Sequence, residues 1–157
     1  MFAIRLVHLI EERADQLAEG LLNKLKKAEA CDELLALVPP QELHQRAYEI
    51  YRNVAEWLLN KTEAEIEERY IGLGARRARQ GVPYSQMLYA LQTIKEYLWE
   101  FLRQEGFLEP TELIGEFEFL YSLEKFFDRA AYFASVGYES ARESELMHAL
   151  AGRQGER

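Results

Sequence analysis

Apolar side chains recur every three or four residues along nearly the whole chain, the period of helices with one buried face. From about Ile4 to Lys27 the stripe is Leu6, Ile10, Ala14, Leu17, Leu21 and Leu25. A short apolar run, Leu34 to Val38, ends at Pro39-Pro40, a pair that stops one helix and can start the next. The second long helix runs from about Gln41 to Asn60, with Leu43, Ala47, Ile50, Tyr51, Val54 and Leu58 on its inner side. Thr62, with Glu65 three residues on, reads as a capping box that opens a third helix. That helix continues to about Gln80, where Gly81-Val82-Pro83 breaks it. A fourth, from about Tyr84 to Gln104, turns Met87, Leu88, Leu91, Ile94, Leu98, Phe101 and Leu102 inward. Gly106 and Pro110 enclose the next turn, and Thr111 caps the last helix. No break follows until Gly152, so this helix reaches about 40 residues, or about 60 Å. No stretch alternates with period two for long enough to build a sheet. The pattern predicts an all-α, single-domain helical bundle of about five helices, bundle or globin-like in arrangement, with a long C-terminal helix. The domain spans residues 1–151, and 152–157 form a frayed tail.

The last helix differs from the others. From Phe126 to Gly137 it is apolar on nearly every side, which predicts burial all round, by the rest of the bundle or by a second subunit on one side. Within it Leu120, Leu123, Phe127, Ala130, Ala134, Gly137 and Ala141 alternate steps of three and four, as a helix–helix seam requires. The seam turns from large to small residues toward the C-terminus, where two backbones can approach closely. Tight packing within the chain and a two-fold dimer axis, through which a packing change would be transmitted, both fit.

Composition narrows the classes of function. The chain has 157 residues, 48% of them apolar and 29% charged, which suits one folded domain rather than a disordered or fibrous chain. A net charge of −8 repels phosphate and argues against nucleic-acid binding. The local exception, Arg76, Arg77 and Arg79, is explained by the negative end of a helix dipole. A lone cysteine, Cys31, forms no intrachain disulfide. Charge returns at Glu11 and Glu12, too soon for a signal peptide, and no segment approaches a membrane span. The expectation is a cytoplasmic protein without membrane contact.

A search for chemistry excludes more than it finds. One Glu-x-x-His spacing, Glu145 to His148, falls short of the two that a di-iron bundle uses, and His8, His44 and His148 lie in separate segments. His44 and His8 have polar surroundings that do not suit haem. Cys31 stands beside Asp32 and Glu33, which raise a thiol pKa rather than lower it. Gly72 and Gly74 lie within a helical pattern and so do not form a phosphate loop. Each costs about 1 kcal/mol against alanine there, and a close helix crossing is the simpler account, ligand approach the other. No cofactor, no metal and no catalytic residue are expected, and the chain is not read as an enzyme.

The stretch Tyr70 to Tyr84, with its arginine-containing helix end and Gln80-Gly81 turn, resembles a segment of RsbRD-type N-terminal sensory domains of bacterial signalling proteins. Met87-Leu88-Tyr89-Ala90-Leu91, Phe126 to Ala130 and Tyr138-Glu139 extend the likeness. The resemblance implies a helical, often dimeric input domain that acts on a regulatory or kinase module and is not itself an enzyme. No binding residues carry over. No output module follows Arg157, which under this resemblance leaves either a piece of a longer protein or a free-standing regulator.

Two functions therefore compete. One is a sensory or regulatory domain, working as a homodimer with a protein partner or downstream module. The alternative is a small-molecule-binding protein or enzyme with an apolar pocket among Tyr89, Tyr97, Trp99, Phe117 and Tyr121, rings that equally suit a core.

Overall fold

A computed structural model describes residues 2–60, 63–106 and 117–155. Its elements in chain order are α1 (Phe2–Lys26), a 3-10 turn (Glu29–Cys31), α2 (Asp32–Leu37), α3 (Pro40–Asn60), α4 (Glu63–Arg79), α5 (Tyr84–Gln104) and α6 (Phe117–Gly155). Among the described residues there are six α-helices and no strand, against the five or so that the periodicity predicts. The additional helix is α2. Its six residues are too few to show a period, and it is held by tertiary contacts instead. Leu34 is buried, and its N–H donates to the Gln86 side-chain oxygen on α5 at 2.8 Å. Thr62 and Thr111, the two threonines read as caps, lie outside the described residues.

The long helices follow from the stripes. All six apolar positions named for α1 and all six for α3 are buried, each fully buried leucine contributing about 1.5–3 kcal/mol over an exposed one. Pro40 occupies the first position of α3, where its missing N–H costs nothing. Gly81, at φ +77°, ends α4 in a Schellman turn, with Val82 N–H donating to the Arg77 carbonyl at 3.1 Å.

Two helix pairs make the bundle: α1 packs chiefly on α3, and α4 on α6. Helix α5 touches α1, α4 and α6. Three polar anchors fix these layers. Tyr51 Oη donates to the Ile94 carbonyl at 2.9 Å, Trp57 Nε1 to the Ser122 carbonyl at 3.0 Å, and Tyr138 Oη to the Val82 carbonyl at 2.6 Å. Phe126 lies between Trp57 and Tyr70, edge-on to the latter at 5.8 Å. Among the described residues no helix is long and apolar enough to cross a membrane.

Candidate functional site

Helix α6 presents two faces of different character. The first is the seam. Arg129 pairs with Glu63 at the start of α4, and Tyr138 meets Val82 just past its end, so the two helices run parallel. Between these points the backbones touch. A Cβ on Gly74 would lie 1.8 Å from the Ala134 carbonyl oxygen, and one on Gly137 would lie 1.9 Å from that of Ile71. Leu123, Phe127, Ala130, Ala134 and Gly137 are buried, while Leu120 and Ala141 are half-buried. In the single chain α4 covers the seam at Ala134 and Gly137. Gly74 accords with the close crossing that its cost in a helix demands, but Gly72 does not: open space faces it.

The second face lies across α6 from the seam. At about 100° per residue, Phe117, Tyr121, Tyr132, Leu146 and Leu150 fall within one arc, with Met147 on its flank. Their exposures run from 48% to 76%, and six of the ten large apolar side chains exposed among the described residues belong to this helix. Within Phe126–Gly137 the single chain covers α6 only in part: Tyr132 stands exposed and Ala131, Phe133 and Val136 are half-buried. Beyond Ala141 every described residue of α6 is exposed, since α4 stops at Arg79 and gives no further support. The helix continues through Gly152 to Gly155 as an overhang of about 21 Å.

A polar cluster sits beside the root of this overhang. Glu42, at the first turn of α3, accepts from Arg76 Nε, from Arg77 Nη1 at 3.5 Å and from Gln80 Nε2 at 2.8 Å. These donors, Arg76 foremost, hold its carboxyl below the usual range against the opposing effect of burial. Arg77 is 5% exposed, and burial pushes its guanidinium down from its ordinary value while the Glu42 charge opposes that. Both groups stay charged, since an arginine does not give up its proton in a protein. Arg76 and Arg77 thus do more than complement a dipole.

The five aromatics of the pocket reading go to different places. Tyr97 packs its hydroxyl on Gly20, Trp99 donates to Glu124 at 2.6 Å, and Tyr89, Phe117 and Tyr121 stand exposed on two helices. A cavity of about 40 Å³ does lie among Leu21, Leu25, Leu34, Ile50, Leu91 and Ile94, with Arg46 and Arg77 at its wall. That is space on the scale of a water molecule, far below a ligand pocket of about 300 Å³ or more. His44 pairs with Asp15 at 2.8 Å, and Cys31 is buried, which raises its thiol pKa with help from Asp32. No group of three potential metal ligands occurs among the described residues.

Residues 11–153 match the model of the family described as the RsbT co-antagonist protein rsbRD N-terminal domain. The chain belongs to this family. No curated protein and no solved structure matches it. The rsbRD N-terminal family has a signalling and regulatory role, and its match covers every element from within α1 to the overhang of α6. In this rsbRD-type domain, Glu42 and Tyr138 are partners of the α4–α5 turn that the sequence pattern did not single out. Glu42 looks like any acidic first-turn residue, and only its tertiary position beside three donors distinguishes it.

Proposed function

We propose that this domain is a cytoplasmic regulatory input module that works through α6, pairing with a second copy along the outward face and passing changes in bundle packing to a protein docked on the overhang. The observation that carries this reading is the division of labour on one helix. Its seam is packed on α4, while its far side exposes two apolar clusters, Phe117, Tyr121 and Tyr132 along the bundle and Leu146, Met147 and Leu150 on the overhang, with Asp128 and Glu139 between them. Large apolar side chains left exposed on an overhang that packs on nothing within the chain suit an interaction surface. Two-fold pairing would bring Tyr132 and Leu150 of each copy against the same face of the other. Such a role needs no catalytic group, in keeping with membership of a signalling family.

Light scattering across the micromolar range tests the association. A mass of twice 18.4 kDa that falls on dilution is the expected result. A species of 18.4 kDa throughout would overturn self-association. Capture by an immobilised peptide of residues 140–155 would then test the overhang alone as the docking element.

A further inference from the structure

Val82 joins the polar cluster to α6. Its N–H closes the end of α4 onto the Arg77 carbonyl, and its own carbonyl receives the Tyr138 hydroxyl. Arg77 in turn reaches across to Glu42 on α3 and to Gln80 at 2.7 Å. One residue of main chain therefore separates the pair of buried Arg77 and half-buried Glu42 from the side chain that ties down α6. Tyr138 lies three residues before Ala141, after which the helix leaves the bundle.

We propose that the Glu42–Arg77 pair is a latch on α6: closed, it keeps the α4–α5 turn in place under Tyr138, and opened, it frees α6 at the root of its overhang. The physics lies in the asymmetry of buried charge. A paired buried guanidinium is tolerated, whereas one stripped of its partner is strongly unfavourable. Arg77 sits in the last turn of α4 beside the Gly81 hinge, so unwinding that turn is the shortest way to bring its charge to water. The same unwinding breaks the Val82 N–H bond and shifts the carbonyl on which Tyr138 depends. The latch thus has two states, and anything that withdraws Glu42 from Arg77 selects the open one. This proposal deepens the reading of α6 as the transmitting helix and rests on it.

Amide hydrogen exchange of the full chain, at one fixed concentration, tests it. In Glu42→Gln, exchange across Ala134–Ala141 should quicken about tenfold, the scale of one lost hydrogen bond. Tyr138→Phe should do the same, and the double variant should add little. Leu17–Leu21 in α1 should stay at the parent rate in all three. Arg77→Met, and Glu42→Gln with Arg77→Met, remove the buried charge, so both should exchange near the parent rate across Ala134–Ala141. These two variants also serve if Glu42→Gln alone does not fold. Glu100→Gln, which breaks an exposed pair with Lys24, is the control and should change neither region. Parent rates across Ala134–Ala141 in Glu42→Gln would overturn the latch, as would equal acceleration in α1. Acceleration in Arg77→Met matching that of Tyr138→Phe would overturn it too, showing a plain tether. Because exchange reports opening within one subunit, its failure is distinct from failure of self-association, which light scattering reads.

Discussion

A Cβ placed on Gly74 would lie 1.8 Å from the carbonyl oxygen of Ala134. Gly137 and Ile71 stand in the same relation at 1.9 Å, so α4 and α6 meet backbone to backbone through two reciprocal glycines. That contact fixes which face of α6 packs within the chain, while Tyr121 and Tyr132 on its other side stand exposed.

Gly74→Ala and Gly137→Ala should each force the helices apart. Overpacking of this kind typically costs about 1–3 kcal/mol, more than the helix propensity that alanine restores. Gly72→Ala, with nothing in front of the new methyl, should instead stabilise by up to about 1 kcal/mol. Urea denaturation of the three variants gives the comparison, and a destabilising Gly72→Ala would mean that its open face is needed.

Ala134→Leu should act on folding rather than on association. Ala134 is wholly buried against α4, and a leucine there has nowhere to go, at a cost of about 1–3 kcal/mol. The melting temperature at high concentration should fall. The dissociation of any dimer, followed by dilution, should change little.

Leu146→Glu combined with Leu150→Glu should show the reverse. Both side chains are exposed on the overhang, at 61% and 48%, so the isolated subunit loses almost no packing. Charge on the outward face should weaken self-association at least tenfold, or about 1.4 kcal/mol. Light scattering and thermal melting, run side by side, separate the two effects.

Acid should act through Glu42. Its carboxyl is depressed in the folded state, chiefly by the hydrogen bond from Arg76, so the unfolded chain binds its proton more readily. This stabilisation is complete above the unfolded value of about 4.3 and is lost as pH falls through the lower, folded value. Wild type should therefore exceed Glu42→Gln in stability by a constant margin near neutrality. The margin should close only in the acid range below about pH 4. Denaturation curves from pH 7 downward check this, and a margin that closes near neutrality would assign the effect to another group.

Helix periodicity made most of this architecture legible in advance. Leu6 to Leu25 and Leu43 to Leu58 are buried where the stripes place them, and α5 spans Tyr84–Gln104 as the spacing predicts. Helix α2 escaped because six residues carry no period. The spacing of α6 marks a series that turns from large to small residues, but not what lies against it. A run of Ala and Gly admits a backbone from the same chain as readily as one from another.

Local pattern thus determined what each segment becomes, since turn chemistry and apolar spacing act within a few residues. It determined the class of protein as well: the run from Tyr70 to Tyr84 carries the likeness to a family that the whole domain matches. Tertiary structure alone decided that α4 takes the seam, that Glu42 meets Arg77, and that Tyr138 rests on Val82. These contacts join residues 35 to 66 positions apart. Which of several compatible surfaces meets which depends on how the helices stack, and no short-range periodicity records that.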